Sequence, residues 1–267
     1  MQLFPSKVSL VGDHFDQKSS FLQGPALAPK QIRSILHNGA ANYWSELDVN
    51  VIEHSQFEDI GDLKIQDYFD IESQYDHLLQ NATRLLTLGG DHSITYPIIR
   101  AHAKRFTEPF EILQIDAHGD LYNDFEGDKY SHACPFARIM EEGLAAKLTQ
   151  VGIRAINPHQ REQASKFGIR MIEMRNIEEL KNLKFKHPLY ISLDLDGIDP
   201  AHAPGVSHHE PGGLTSRQVI DFIQKIDVPI IGADIVEYNP HRDISFMTAA
   251  LAGKLLKEIG GKMLMKY

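Results

Sequence analysis

Short runs in which almost every residue is apolar recur along the chain. Strands that are covered on both faces of a sheet need such unbroken runs, whereas a half-exposed strand alternates apolar and polar residues. The pattern therefore predicts parallel strands buried between layers of helices. The predicted strands cover residues 8–12, 84–90, 111–116, 148–154, 189–196 and 228–237.

Segments with a helical spacing of apolar residues separate most of these strands. A chain in which strands and helices alternate in this way typically folds as a doubly wound α/β sandwich. Residues 13–80 show the weakest pattern, and there we expect a loop at 41–48 and a helix around 66–80. Since no linker, repeat or low-complexity segment interrupts the chain, residues 1–267 are predicted to form one domain. The remaining predicted helices cover residues 95–106, 136–147, 215–226 and 247–259, with Thr215 as an N-cap.

Acidic and imidazole side chains follow four of the predicted strands, at the point where each strand ends. The carboxyl ends of parallel strands lie along one edge of a sheet, which is where open α/β folds bind ligands. In the stretch QIDAHGDLY, alternate residues of an extended chain would also point the same way, so that two carboxylates and an imidazole converge. The clusters are Asp91-His92, Asp116-His118-Asp120, Asp194-Asp196, and Asp234 with Glu237.

Four carboxylates in a dry crevice would repel one another strongly unless cations neutralised them. Two divalent metal ions would balance the charge, and a carboxylate can bridge both of them. A donor set rich in oxygen, with few nitrogens and no thiolate, favours a hard ion such as Mn²⁺ over Zn²⁺. Each of these residues taken singly is more often a turn former or a helix cap, so the prediction depends on their occurring together. The six predicted metal ligands are His92, Asp116, His118, Asp120, Asp194 and Asp196.

Composition limits the binding partners and the cellular compartment that we expect for this protein. The chain has 267 residues, a formal net charge of -9 and a single cysteine, Cys134. The negative charge disfavours nucleic acid and anionic membranes as partners, and it attracts small cations. One cysteine forms no internal disulfide, and the sequence shows neither a signal peptide nor an apolar run of membrane-spanning length. We therefore expect a cytoplasmic protein that acts on a small molecule.

Five motifs, in order along essentially the whole chain, resemble those of the ureohydrolases, the family of arginases, agmatinases and guanidino-acid hydrolases. They are GGDHS (89–93), DAHGD (116–120), SLDLDGIDPAHAPG (192–205), EPGGLT (210–215) and ADIVEYNP (233–240). The stretches SSFLQGPALAP (19–29), FEGDKYSHACPFARIMEEG (125–143) and APGVSHHEPGG (203–213) are most similar to plant-type arginases.

The resemblance implies a three-layer α/β/α sandwich with a central, mostly parallel sheet, and two Mn²⁺ ions per subunit. It also implies a homo-oligomer, a trimer or a hexamer, without indicating any interface residue. In the metal scheme of the family, His92, Asp116, Asp120 and Asp194 would bind one ion, whereas Asp116, His118, Asp194 and Asp196 would bind the other.

The resemblance further implies catalytic roles for two residues outside the metal set. His132, in YSHACPF, matches the histidine that shuttles a proton, and Glu237, in DIVEYNP, matches the acid that pairs with the substrate guanidinium. A guanidinium carbon is a poor electrophile, so water must be activated by the metals and the leaving amine must receive a proton. Without the motifs, His132 would be interpreted as a loop histidine before a helix, and Glu237 would be interpreted as a surface acid at the end of a strand. Asp91 and Asp234 are expected to support the ligands or to form turns.

The substrate is the least determined part of this prediction. Animal-type arginases carry asparagine two positions after the last aspartate of DAHxD, where it helps to bind the α-carboxylate of arginine. This chain has Tyr122 there, as agmatinases do, which favours agmatine. Plant-type arginases share the tyrosine, so L-arginine and, third, a guanidino acid stay open. His208 and His209 would contact the far end of the substrate and favour an anionic group, or they lie on an exposed loop.

Two other classes of protein fit parts of the pattern. A zinc-dependent, deacetylase-like hydrolase shares the implied fold, but it binds one metal with fewer ligands. A non-catalytic relative that binds a protein partner would have lost metal ligands or catalytic residues, whereas this chain retains all six ligands, His132 and Glu237.

Overall fold

The fold is built on one parallel sheet. A computed structural model of the chain describes residues 7–81, 84–106 and 108–265. In these residues the strands are β1 (Val8–Gly12), β2 (Phe57–Asp62), β3 (Arg84–Leu88), β4 (Glu111–Ile115), β5 (Lys147–Ile153), β6 (Arg170–Glu173), β7 (Leu189–Asp194) and β8 (Ile230–Val236). They lie in the order β2-β1-β3-β8-β7-β4-β5-β6, and every neighbouring pair is parallel.

All six predicted strands are present, and each is almost fully buried along its length. The apolar pattern did not predict β2 and β6, which form the two edges of the sheet. Both edge strands are partly exposed and carry polar residues, so neither has the unbroken apolar run of a central strand. Several predicted strands were also too long at their carboxyl ends, because the last residues belong to the turns that follow.

The helices are α1 (Ala28–His37), α2 (Asp70–Leu79), α3 (Thr95–Arg105), α4 (Pro135–Glu141), α5 (Pro158–Lys166), α6 (Ser216–Lys225) and α7 (Met247–Leu264). The predicted N-cap of α6 is confirmed, since Thr215 and Gln218 form a reciprocal capping box. The helix around 66–80 corresponds to α2. Helix α4 is shorter than expected and α7 is longer, whereas α1 and α5 were not predicted.

Two hydrophobic cores lie on opposite faces of the sheet. One core packs α1, α6 and α7 against the strands, with Ile32, Ile223 and Leu256 among its buried residues. The other packs α2, α3, α4 and α5, with Ile99 and Phe136 among its buried residues. The predicted three-layer α/β/α sandwich is therefore confirmed. In the described residues, no helix is both long and apolar enough to cross a membrane.

The turn after β3 requires a glycine for packing reasons. A Cβ atom on Gly90 would lie 1.7 Å from the carbonyl oxygen of Phe15, so no larger residue fits there. Close approach lets the backbone N–H of Asp91 donate to that same carbonyl, at 2.9 Å. The loop after β1 is thereby joined to the turn after β3 at the carboxyl edge of the sheet.

Candidate active site

His92 lies at the centre of a group of buried carboxylates. Its Nδ1 atom is 3.2 Å from Asp116 Oδ2, 3.0 Å from Asp120 Oδ2 and 3.1 Å from Asp194 Oδ2. Asp116 and Asp120 lie in the turn after β4, Asp194 is the last residue of β7, and His92 lies in the turn after β3. The sheet order explains the meeting, since β8 alone separates β3 from β7 and β4 is next to β7.

A second group forms around His118, at the same edge of the sheet. His118 Nδ1 is 3.0 Å from Asp196 Oδ2 and 3.5 Å from Asp116 Oδ1. Ligand atoms of His92, Asp116 and Asp120, and likewise those of Asp116, His118 and Asp196, are close enough together to hold one metal ion per group. Asp116 belongs to both groups, with one carboxylate oxygen facing each histidine, as a bridging ligand requires.

Backbone amides of the turns orient these carboxylates. Asp194 Oδ1 accepts the N–H of Asp196 at 2.7 Å, which leaves Oδ2 facing His92. Asp196 Oδ1 accepts the N–H of Ala117 at 3.2 Å, which leaves Oδ2 facing His118. Such bonds fix the direction of a side chain without using the oxygen that points into the site.

The protonation of His92 follows from its outer hydrogen bonds. Ser192 Oγ donates to Asp234 Oδ1 at 2.7 Å, so it accepts a hydrogen bond from His92 Nε2 at 2.9 Å. The hydroxyl of Tyr190 and that of Thr95 donate to the other oxygen of Asp234. His92 therefore carries a proton on Nε2, which leaves Nδ1, facing the three carboxylates, as the atom that could bind a metal ion. Asp234 supports a ligand in this arrangement and belongs to neither metal group.

The residues present fit metal ions. His92 Nδ1 is buried and has no hydrogen-bond partner among the described residues, although three acid oxygens surround it. Three carboxylate oxygens around one imidazole nitrogen need a positive charge among them, which a proton on Nδ1 or a bound metal ion would supply. Burial, followed by the charges of Asp196 and Asp116, raises the pKa of Asp194 well above its ordinary value. A divalent cation would reverse that tendency and keep the acids ionised.

His132 and Glu237 form a buried pair beside the metal groups. His132 Nδ1 lies 2.8 Å from Glu237 Oε1, and the same oxygen accepts the backbone N–H of His92 at 2.9 Å. Burial alone would lower the pKa of His132, but Glu237 outweighs it and raises the pKa to about 9. Glu237 has a φ angle of 63° and Asp120 one of 49°. Left-handed backbone at non-glycine residues is costly and clusters at functional sites.

A pocket of about 390 Å³ opens onto these residues. Its volume suits a small linear molecule. No lysine or arginine is among the described residues that line it. The lining comprises Ser20, His118, Asp120, Tyr122, Phe125, His132, Ala133, Ala155, Ile156, Asn157, Gln160, Asp194, Asp196, His208, Glu210 and Glu237.

The residues predicted to contact the far end of a substrate do not all reach the pocket. The ring centroid of His208 is 5.8 Å from that of His118 and 5.7 Å from that of His132, so His208 lies between them. His209 is exposed, and its Nε2 is bonded to the carbonyl oxygen of Pro204 at 2.7 Å rather than lining the pocket. Tyr122 lines the pocket and accepts a hydrogen bond from Asn157 Nδ2 at 2.7 Å.

Three residues near the site were not singled out from the sequence. Ser20 bonds His132, Glu210 contributes a half-exposed carboxylate to the pocket, and Arg154 binds the backbone around both Asp196 and Glu210. Ser20 and Glu210 lie in irregular loops, where neither periodicity nor a strand end indicates a site. Arg154 directly follows β5, and this position was the one available signal.

Comparisons with known proteins agree with this geometry. A sequence model of the arginase family matches residues 6–261. Arginase 1, mitochondrial, of Arabidopsis thaliana is 43% identical over 97% of this chain and 81% of its own. An agmatinase of Bacillus cereus is 32% identical over 95% of this chain and 91% of its own. The solved arginase from Medicago truncatula superposes with a TM-score of 0.91 at 40% identity, covering 96% of this chain and 87% of its own.

The family expected from the motifs is thus confirmed, and with it the ureohydrolase class of enzyme. The deacetylase-like and non-catalytic alternatives do not account for a family match over residues 6–261 together with two metal-binding groups and a pocket. The chain belongs to the arginase family, whose members hydrolyse guanidino C–N bonds at a binuclear metal centre.

Proposed function

We propose that this protein is a manganese-dependent ureohydrolase that releases urea from agmatine. The observation that carries the choice of substrate is the charge of the pocket. Its lining includes the acids Glu210 and Glu237 besides the metal-site acids, and no lysine or arginine among the described residues. Agmatine is cationic at both ends and meets an acid at either end, whereas nothing in the lining offers a permanent positive charge to a carboxylate.

Six residues would hold two Mn²⁺ ions in this proposal: His92, Asp116, His118, Asp120, Asp194 and Asp196. Support comes from the two groups of converging ligand atoms that share Asp116. Four of the six side chains are carboxylates and none is a thiolate, which favours Mn²⁺. Bound metal ions would supply Lewis-acid chemistry, which lowers the pKa of water toward neutrality and so provides a nucleophile.

Glu237 and His132 would act on the substrate from beside the metal groups. The carboxylate of Glu237 would pair with the planar guanidinium, and charge-assisted bonds of this kind fix both position and orientation. His132, next to Glu237, would supply the proton that the leaving amine needs. Support comes from the 2.8 Å contact between the two side chains and from their position in the pocket lining.

The far end of the substrate would lie among Tyr122, His208 and Glu210. Burial, followed by the charge of His132, lowers the pKa of His208, so its imidazole is neutral near neutral pH. A neutral His208 offers no charge to a carboxylate. The role that the sequence suggested for His209 is not carried into this proposal, because its imidazole is bonded to Pro204 outside the lining.

L-arginine is the second candidate substrate. Sequence identity favours L-arginine. Plant proteins named arginase are 41% to 43% identical to this chain, whereas the proteins named agmatinase are 32% identical. Arginine also carries a guanidinium for Glu237 and an amino group for Glu210. Its carboxylate would need neutral donors such as the amide of Asn157, which now donates to Tyr122.

The test is urea release by the Mn²⁺-loaded protein from agmatine and L-arginine, assayed side by side as kcat/KM. We expect agmatine to be preferred by about tenfold or more, as one unmatched charged group costs at least 1.4 kcal/mol. Glu237→Gln should reduce kcat/KM about 100-fold or more while Mn²⁺ still binds, and the exposed-pair variant Glu173→Gln should not. Preference for L-arginine would overturn the substrate, and urea from neither would overturn the proposal.

Compartment and assembly are part of the same proposal. A cytoplasmic homo-oligomer, trimeric or hexameric, fits the lone cysteine and the family, although the name of the Arabidopsis relative assigns that protein to mitochondria. Size-exclusion chromatography with light scattering measures the assembly state directly, and an all-monomer result at working concentration would contradict it.

A further inference from the structure

A serine completes a three-residue chain of hydrogen bonds with the His132–Glu237 pair. Ser20 Oγ lies 2.8 Å from His132 Nε2, on the opposite side of the ring from Glu237. The backbone N–H of Ser20 also donates to His132 Nε2, at 3.1 Å. Both ring nitrogens of His132 are therefore occupied, one by an acid and one by Ser20.

Hydrogen bonds hold the loop that carries Ser20 at several points, and these bonds fix the position of Ser20. The backbone N–H of Lys18 donates to Asp91 Oδ2 at 2.9 Å, and the Lys18 carbonyl accepts the N–H of His132 at 3.2 Å. At the other end of the loop, the N–H of Gly24 donates to Asp16 Oδ2 at 2.8 Å. Ser20 thus lies between two fixed segments.

The donor from the backbone determines the tautomer of the neutral form of His132. An N–H group that points at Nε2 favours a lone pair there, since a protonated Nε2 would face a second donor. In the neutral ring the single proton is therefore on Nδ1, where it is donated to Glu237. The carboxylate of Glu237 favours the charged imidazolium and raises the pKa of His132 to about 9, so that near neutral pH Nε2 carries a second proton. The two neighbours of the ring act in opposite directions, which keeps a proton on Nε2 easy to lose.

The solvent exposure of His132 and Ser20 indicates a path for a proton between the buried imidazole and the pocket. His132 is only 8% exposed, whereas Ser20 is an exposed residue that lines the pocket. A hydroxyl both donates and accepts, so it can pass a proton between an enclosed nitrogen and water in the pocket. In the described structure, the Ser20 hydroxyl is the polar side-chain group that bonds Nε2 directly.

We propose that Ser20 is the positioning residue and proton relay of His132. The inference rests on the proposed function, in which His132 protonates the leaving amine. After Nε2 has given its proton to that amine, the Ser20 hydroxyl transfers its hydrogen to Nε2 and takes a proton from pocket water. Nε2 loses one N–H bond to the amine and regains one from Ser20, Ser20 regains its O–H bond from the pocket water, and that water is left as hydroxide.

Steady-state kinetics of Ser20→Ala test the relay. We expect kcat to fall about 10-fold to 100-fold, within the range of proton-transfer catalysis, with KM changed less than about twofold. Part of the lost rate should return as the concentration of imidazole buffer is raised, because a buffer acid can replace a missing relay. Ser20→Thr keeps the hydroxyl and should keep most of the rate.

Ser19→Ala is the matched control. Its hydroxyl donates to Asp91 at 3.2 Å and does not bond His132, although it is the adjacent residue in the same loop. This variant should retain kcat within about threefold and show no dependence on buffer. A Ser20→Ala enzyme with the kcat of the wild type and no buffer dependence would overturn the relay while leaving the ureohydrolase activity intact.

Imidazole ¹⁵N chemical shifts of His132 test the positioning without any turnover. In protein selectively labelled with [¹⁵N]histidine, we expect the neutral form of His132, at a pH above its pKa of about 9, to be protonated on Nδ1 and to carry a lone pair on Nε2. Ser20→Pro, which removes the backbone N–H, should leave a mixture of tautomers, whereas Ser20→Ala and Ser19→Ala, which keep it, should not. A proton on Nε2 rather than Nδ1 in the neutral ring of the wild type would overturn the inference even if the protein releases no urea, so its failure is distinct from a failure of the proposed function.

Discussion

Asp13, directly after β1, is the most isolated acid that the structure describes. It is fully buried, and neither of its carboxylate oxygens accepts a hydrogen bond of normal geometry from the described residues. Burial, followed by repulsion from Asp91, raises its pKa well above the ordinary value, although the nearby Tyr75 hydroxyl lowers it in part. A carboxyl group in such a place is a cost to the folded state whenever it must ionise.

Asp13→Asn should therefore stabilise the protein near pH 7. A raised folded-state pKa contributes stability below the unfolded pKa of about 4, and that stability is lost as pH rises. Asparagine cannot ionise, so the Tm of the variant should exceed that of the wild type at pH 7, by roughly 3 °C for each kcal/mol gained. The difference should shrink toward pH 4. Thermal scans between pH 4 and pH 8 measure it, with Asp227→Asn, at an exposed position, as the control. A lower Tm at pH 7 would show that Asp13 is ionised and paired.

At the scale of elements, Arg154 connects two segments that meet at the pocket. Its Nη2 donates to the carbonyl of Asp196 at 2.7 Å, its Nη1 to that of Gly197 at 3.1 Å and its Nε to that of Glu210 at 2.8 Å. The first two carbonyls lie in the turn after β7, which carries a predicted metal ligand, and the third lies in the loop 203–213. One guanidinium thus fixes the substrate-facing loop against the metal-binding turn.

Replacing this arginine should weaken substrate binding more than metal binding. Arg154→Lys keeps the charge but loses the planar fork, so a single ammonium cannot reach all three carbonyls. We expect KM for the preferred substrate to rise about 10-fold and the Mn²⁺ dissociation constant to rise by a smaller factor. Arg161→Lys, which alters an exposed pair with Glu173, should change either constant less than twofold. Unchanged KM in Arg154→Lys would show that the loop is held by other contacts.

Sequence could indicate a candidate site where a residue's position follows from an element. The six metal-ligand candidates could be proposed because parallel strands share one edge, and burial on both faces marks β3, β4 and β7 as central strands. Ser20 and Glu210 could not be found in that way. The conformations of their loops depend on contacts with residues far along the chain, such as the hydrogen bond between Lys18 and Asp91. The local pattern of apolar and polar residues does not predict such contacts.

At the scale of the whole molecule, folding and metal binding depend on each other. The predicted ligands follow three strands, and residues 92 and 196 are more than a hundred positions apart in the chain. An unfolded chain therefore offers no arrangement in which both metal groups exist. A ligand that binds only the folded state stabilises it by mass action, by about 2.7 kcal/mol at a hundred times its dissociation constant.

Mn²⁺ should consequently raise the melting temperature, and EDTA should reverse the rise. For a chain of this size we expect an increase of about 5–10 °C at saturating Mn²⁺. His92→Ala should remove most of the increase, because it deletes one ligand and the anchor of three carboxylates. His77→Ala, at an exposed position on α2, is the matched control and should keep the full increase. An equal increase in both variants would place the stabilising ion elsewhere.

The place of β8 in the sheet has a consequence for synthesis of the protein on the ribosome. β8 is the last strand along the described residues, yet it lies in the middle of the sheet, between β3 and β7. Until residues 230–236 emerge, the nascent chain holds two separate blocks, β2-β1-β3 and β7-β4-β5-β6. The first block carries His92 and the second carries all the other predicted ligands. The predicted ligand group around His92 can therefore form only after β8 has been made and has joined the two blocks.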